Sequence, residues 1–320
     1  MKVYRSIAEA AGGPLRGAAV AIGNFDGVHV GHQALLRVAR EQGALHGGAA
    51  AALTFDPHPV RVLRPGLAPP LLTPLDRKLE LLEAQGLDAV VVQPFSLAWA
   101  ASSAAQFVAR DLAGQLAVAD VVVGYDFTAG HERARVDALR GLLGGHGVGL
   151  HVIDPIASDG LLVSSTKIRE FLLEGKVEAA ALLLDRQHDV DGLVAHGAGR
   201  GRGFGFATAN VETGGLLPAN GVYVIRAIVG GSGGRFEGGA FHGGVCNIGV
   251  KPTVESGARV TAEAHLFDFD GRDLYGEPIR VAFLSRLRDE RRFESVEALK
   301  VQIAADAELA RGYLAAAPGS

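Results

Sequence analysis

At 320 residues and 33.2 kDa the chain exceeds the roughly 100–200 residues typical of one domain, so two domains are expected. Hydrophobic residues at 48% and charged residues at 21% allow full cores and exclude a disordered chain. A formal net charge of -4 with a pI near 6.3 excludes a general pull toward nucleic acid or an anionic membrane, and the single cysteine, Cys246, excludes an intramolecular disulfide framework or a Cys-based zinc site.

The N-terminal "MKVYRSIAEAAGGPLRG" has scattered charge and no apolar stretch of signal-peptide length, and no run is long enough to span a bilayer, so a soluble, cytoplasmic protein is expected. From residue 18 to about 185 the runs "AAVAI", "AAAALTF", "DAVVVQPF", "DVVVGYDF" and "GLHVIDPI" are strand-length and apolar on both parities, as strands covered on both faces must be. Helical periodicity lies between them. Leu35, Val38 and Ala39 share one face, and Leu75, Leu79 and Leu82 another that stops at Gly86. Ser102 or Ser103 can cap the helix of Phe107 and Leu112, and Ser164 or Ser165 that of Ile168 and Leu172. This alternation predicts a parallel, doubly wound α/β sheet.

After about residue 186 the pattern changes. "LVAHG", "FGFATANV", "GVYVIRAIV", "GVCNIGV", "TAEAHLFDF" and "IRVAFLSRL" are β-rich runs joined by Gly- or Pro-containing turns, which predicts an antiparallel barrel or sandwich. "GGSGGRFEGGAFHGG" reads as a hairpin loop without chemistry. A closing helix, capped at Ser295, carries Val296, Leu299, Ile303 and Leu309.

The informative motif is "GNFDGVHVGH", residues 23–32, where the first buried strand becomes a helix. Ligand crevices of open parallel sheets lie at such strand ends, glycines admit an anion to the backbone, and a helix N-terminus adds positive partial charge. His29 and His32 are about one turn apart, so both imidazoles could reach one phosphate and stabilise pentacovalent phosphorus. A metal pair is the weaker reading, because helical ligand pairs favour i, i+4 and no third ligand is near. The motif is not the dinucleotide fingerprint G-x-G-x-x-G.

With "TFDPHP", "VVVGYDF", "SSTKIREFL", "GRGRGFGFATAN", "LPANGVYVI", "NIGVKPT", "AEAHLFDF", "LYG" and "LRDERRF" following in order, the chain resembles bacterial bifunctional riboflavin kinase/FAD synthetases along nearly its whole length. The resemblance implies an N-terminal nucleotidyltransferase domain (residues 1–186) with a Rossmann-like parallel sheet and a C-terminal riboflavin kinase domain (187–320), an antiparallel β-barrel with a terminal helix. It implies that the first transfers AMP from ATP to FMN, giving FAD and pyrophosphate. His29 and His32 would then be catalytic, with Gly23, Asn24, Phe25, Asp26, Gly27 and Gly31 shaping the ATP loop. Ser164, Ser165, Thr166 and Arg169 would add phosphate donors, and Asp126 and His58 would lie near flavin; the plainer readings of these last two are a turn Asp and a structural His. In the second domain ATP would phosphorylate riboflavin. Thr208 and Asn210 would then hold ATP and Mg2+, Glu263 would be the base, and Arg288 and Phe293 would close over the flavin.

The chain departs from the family's pattern at Ala207, where the kinase motif has proline, and at Thr128 and Ala129, where Arg and Phe are usual. These departures imply a slower kinase and, more strongly, a weakened adenylyltransferase. Cytidylyl- and pantetheine-phosphate adenylyltransferases would leave the β-rich half unused, and an aminoacyl-tRNA synthetase would need a basic stretch that is lacking. A monofunctional kinase with a degenerate first domain and a flavin-binding regulator without turnover are the other readings. The expected partners are ATP, riboflavin and FMN, with no nucleic acid or membrane, and the expected state is a monomer or weak homo-oligomer.

Overall fold

The computed structural model describes residues 1–13, 15–195, 207–230, 236, 240–253, 257–269 and 274–316. The Gly/Arg stretch 199–206 and most of the loop at 231–239 therefore lie outside the described residues. The chain divides into two compact units, one of Met1–Pro70 with Leu75–Ser164 and one of Leu71–Pro74 with Ser165–Ser320.

Each both-parity apolar run of the first unit is a parallel strand: β2 Ala19–Ile22, β3 Ala50–Asp56, β4 Ala89–Pro94, β5 Asp120–Gly124 and β6 Gly149–Ile153. A short strand that periodicity does not reveal, β1 Lys2–Tyr4, pairs with β4 and completes a six-stranded sheet of order β1-β4-β3-β2-β5-β6. Alternation within the strands builds two cores. Val20, Ile22, Leu53 and Val121 face one side with Leu112, Leu116, Leu139 and Leu143, while Ala21, Ala52, Val90 and Val122 face the other with Leu35, Leu36, Ala39, Leu81 and Leu82. The covering helices include α1 Ile7–Ala10, α2 Val30–Leu45, α3 Pro59–Leu63, α4 Leu75–Ala84, α5 Leu97–Ala100 and α6 Ala104–Gln106. Ser103 and Gln106 form a reciprocal capping box on α6, which continues as a π-helix over Phe107–Leu116. Helix α7 Val136–Gly144 and a small hairpin, β7 Ala157–Ser158 with β8 Leu161–Leu162, complete the unit. The chain leaves β2 toward β3 and leaves its other neighbour β5 toward β6, in opposite directions, so the C-terminal ends of β2 and β5 form the topological switch point at which open parallel sheets take ligands.

The second unit is a closed antiparallel barrel rather than a sandwich. Its strands are β9 His188–Ala195, β10 Ala207–Thr213, β11 Gly221–Val229, β12 Phe241–Thr253, β13 Gly257–Leu266 and β14 Pro278–Arg288, in the order β10-β13-β12-β11-β14-β9, with β9 returning to β10. Helices α8 Ser165–Leu173 and α9 Val177–Leu184 belong to this unit. Arg286 of β14 ties them on, its guanidinium donating to the Glu174 carbonyl just after α8 at 3.5 Å while its backbone N–H donates to Glu178 of α9 at 3.2 Å. The closing helix, α10 Val296–Ala316, is capped by Ser295 as the sequence predicts. Its docking face differs. Ala307, Ala310 and Asp306 are buried, whereas Val296 and Leu309 are exposed, because Asp306 turns inward to bind Arg288.

Candidate functional site

The loop after β2 is bent by three positive φ angles, at Phe25 (47°), Gly27 (91°) and Val28 (42°). Two of these are not glycine, a conformation costing on the order of 1 kcal/mol each. Burial of the Phe25 and Val28 side chains against α2 and α4 holds it in place. The chain then enters α2 with His29 as its N-cap, and His29 Nδ1 accepts the His32 backbone N–H at 3.3 Å. In a neutral ring that acceptor role puts the proton on Nε2, so His29 presents an N–H donor from its outer edge.

Gly31 explains the motif's spacing. A Cβ there would lie 3.1 Å from His29 Cε1 and Nδ1, so any other residue would make the His29 ring give by a few tenths of an ångström where it folds back over the first turn. The ring stacks on His32 with centroids 3.6 Å apart, and Phe25 meets His32 edge-on at 5.3 Å. Burial holds the His32 imidazole well below its ordinary pKa, with His29 and Lys78 adding to the effect, and its Nδ1 is buried without a hydrogen-bond partner. Of the other loop residues, Asp26 and Gly27 are buried and Asn24 is exposed, its carbonyl accepting the Thr54 hydroxyl at 3.2 Å. Gly23 passes beneath the Phe25 ring, where a Cβ would come within 3.3 Å.

Lys78 of α4 is a charged residue that sequence reasoning passed over. Its side chain is only 4% exposed, and burial lowers its pKa while Asp26 and Asp56 pull it back up. The available signal was its spacing, because Lys78 shares a buried helical face with Leu81 and Leu82. Asp126 lies exposed just beyond the C-terminal end of β5, and its Oδ1 is 3.3 Å from where a Cβ on Gly124 would be. His58 N-caps α3, accepting the Val60 N–H at 3.3 Å, which matches its structural reading. In the departed loop Ala129 is buried in the core, and Glu132 accepts the Ala104 N–H at 2.8 Å.

Ser164 precedes α8, Ser165 and Thr166 lie in its first turn, and Arg169 is buried one turn on. By compactness Ser164 ends the first unit and the rest open the second.

On the barrel, Asn210, Glu263 and Asn247 stand side by side across β10, β13 and β12, and Thr208, His265 and Val245 form the neighbouring row. The alternate residues Ala209, Val211, Ala262, Ala264, Cys246 and Ile248 are buried, while Thr208, Asn210, Glu263, His265 and Asn247 are half-buried on the opposite face of the same wall. Thr208 Oγ1 and His265 Nδ1 are 3.0 Å apart, and burial lowers the His265 pKa against an opposing pull from Glu263. Burial pushes the Cys246 thiol far up, with the Glu263 carboxylate adding to it, so this cysteine is an inert core residue. Arg288 is gripped by Asp306, with contacts of 2.7 and 3.0 Å, and its guanidinium lies 5.8 Å from the Phe293 ring centroid.

Two family models match the chain, FAD synthetase over residues 13–167 and riboflavin kinase over residues 184–314. Similar curated proteins include the bifunctional riboflavin kinase/FMN adenylyltransferases of Pseudomonas fluorescens, 37% identical across 94% of both chains, and Bacillus subtilis, 34% identical across 92% of both. That of Escherichia coli K12 is 35% identical across 98% of both. A solved structure described as a macrolide-efflux protein from Streptococcus pneumoniae superposes with a TM-score of 0.84 at 28% identity, covering 97% of this chain and 98% of that one. Among the described residues of this chain no helix is long and apolar enough to cross a membrane.

Proposed function

Because this chain belongs to the bifunctional riboflavin kinase/FMN adenylyltransferase family and phosphorylates riboflavin to FMN and adenylylates FMN to FAD, we propose that each reaction uses the residues assembled at one of its two sites. Residues 1–186 carry adenylylation and 187–320 carry phosphorylation. The readings as a lone kinase or a regulator without turnover are not favoured, since the matched models cover both halves.

The observation that carries the first assignment is the His29–Gly31–His32 geometry at the N-terminus of α2. A neutral His29 offers Nε2–H to a phosphate oxygen, and the helix end and loop amides add electropositive character. Stacked beneath it, His32 stays neutral through burial and completes a rigid imidazole platform on which negative charge can gather as the α-phosphorus is attacked. Asn24, Asp26 and Gly27 hold the loop. Ser164, Ser165, Thr166 and Arg169 supply further phosphate donors, and Asp126 and His58 border the flavin.

For phosphorylation, the alternation of β10 sets Thr208 and Asn210 on one face, with Glu263 directly opposite Asn210. A hydroxyl and an amide oxygen are hard, neutral donors that suit Mg2+, which takes one or two protein ligands and fills its remaining positions with water and phosphate oxygens. When bound, Mg2+ supplies charge neutralisation at the transferring phosphoryl group. Glu263 takes the proton of the ribityl hydroxyl, and Arg288 and Phe293 border the flavin. The protein acts in the cytoplasm as a monomer or weak homo-oligomer.

A chromatographic assay with Mg2+ and ATP, fed riboflavin in one tube and FMN in another, tests these assignments. Glu263→Gln abolishes FMN formation and spares FMN-to-FAD conversion, and His29→Ala does the reverse. Loss of both activities from either substitution in a folded protein refutes the two-site assignment.

A further inference from the structure

Thr208 and His265 face each other across β10 and β13, and the 3.0 Å bond between Oγ1 and Nδ1 joins their side chains. A hydroxyl has one hydrogen and two lone pairs. If the ring donated from Nδ1, one lone pair would be consumed and the hydroxyl hydrogen would swing toward whatever lies on the open side, which repels a cation. If Nδ1 accepts, the hydrogen is tied down along the wall and both lone pairs face outward. Val245, the neighbour of His265 on β12, is apolar and offers the ring no competing polar side chain.

We propose that His265 is a positioning residue of the kinase site, accepting the Thr208 hydroxyl hydrogen and thereby fixing the Thr208 oxygen as an acceptor directed at the cation of the bound nucleotide. The proposal rests on the reading of Thr208 as part of that nucleotide site. Threonine has alternative χ1 wells in a strand, and without the imidazole its hydroxyl would turn or seek a backbone carbonyl. A purely structural cross-strand pair would contribute only to stability.

The test uses the full-length protein and titrates ADP calorimetrically with Mg2+ and again with EDTA, alongside kcat and KM for riboflavin phosphorylation. Thr208→Ala identifies which ADP site belongs to the kinase. At that site His265→Leu weakens Mg·ADP binding about tenfold and raises KM for Mg·ATP similarly, the effect of about one lost hydrogen bond, while ADP binding in EDTA is unchanged. Adding His265→Leu to Thr208→Ala changes Mg·ADP binding by less than about twofold, because both act through one contact. His265→Asn, whose Oδ1 can occupy the place of Nδ1, stays within about threefold of the native protein, whereas His265→Gln does not. If His265→Leu fails to fold, the Asn and Gln pair decides alone. Unchanged Mg·ADP binding in His265→Leu, additive losses in the double variant, or equal behaviour of Asn and Gln overturns the proposal. Unchanged Mg·ADP binding in Thr208→Ala overturns instead the assignment of Thr208 to the nucleotide site.

Discussion

Gly31 carries a demand that its neighbours create. His29 folds its ring back to cap α2, and a Cβ on residue 31 would crowd that ring at 3.1 Å. Gly31→Ala should therefore shift the imidazole on its cap by a few tenths of an ångström while leaving the barrel untouched, lowering FMN adenylylation by about threefold or more, since misplacement of catalytic groups is costly. Riboflavin phosphorylation by the same preparation should be unchanged, and equal loss of both activities would refute the argument. His32 makes a second, pH-dependent demand. Its folded pKa is lowered chiefly by burial, so as pH falls below about 6.5 the unfolded chain takes up a proton that the fold resists. The stability it confers is complete above that pH and is lost as pH falls toward the depressed folded value. Urea midpoints of the native protein and His32→Gln at pH 7.5 and 5.5 measure this, and the substitution should reduce the acid-side loss; an unchanged difference between the two pH values would count against it.

Helix α10 is held by a charge pair more than by its large apolar residues. Asp306 is 2% exposed and receives three contacts from Arg288, while the alanines beside it let the helix approach β11 and β12 closely. Replacing Asp306 by Ala strands a guanidinium against the barrel wall and should cost about 3 kcal/mol in urea unfolding of the barrel. Arg288→Met/Asp306→Leu should recover part of that loss, and a cost below about 0.5 kcal/mol for the single change would show the pair to be ornamental. This pair also shows why sequence reading succeeded in some places and missed others. The strands of the sheet were legible because both-parity apolar runs have few other uses, and the strand-to-helix turn at His29–His32 because its glycines mark where the apolar run of β2 ends. Asp306 and Arg288 were not legible as partners, because 18 residues separate them and only folding joins them. Lys78 was hidden within a charged helix, and His265 looked like one more alternate residue of a strand. Strand β1 was too short for periodicity to register, and α10 followed its apolar pattern less closely than its buried carboxylate.

The change of pattern near residue 186 marks where helices give way to barrel strands, but the second compact unit already begins at Ser165. The reason lies in contacts that cross from α8 and α9 to the barrel. Arg286 bonds Glu178 and the Glu174 carbonyl, the Ala219 N–H donates to the Leu172 carbonyl at 2.8 Å, and Leu183 and Leu184 are almost wholly buried. A chain beginning at 187 would expose that apolar face and keep the Asn220 carbonyl at the Arg286 guanidinium but lose the Glu174 carbonyl and the Glu178 carboxylate. Gly175 and Gly221 reinforce the point, since a Cβ at either would come within about 3 Å of that guanidinium. A fragment of residues 165–320 should therefore unfold cooperatively and phosphorylate riboflavin, whereas 187–320 should melt at lower temperature by 5 °C or more, on the order of 1 kcal/mol for a unit of this size. Arg286→Ala in the longer fragment should lower its melting temperature toward that of the shorter one, because the seat and its occupant act together. Equal melting temperatures for the two fragments would mean that α8 and α9 merely rest on the barrel, and the boundary would then belong at the change of pattern.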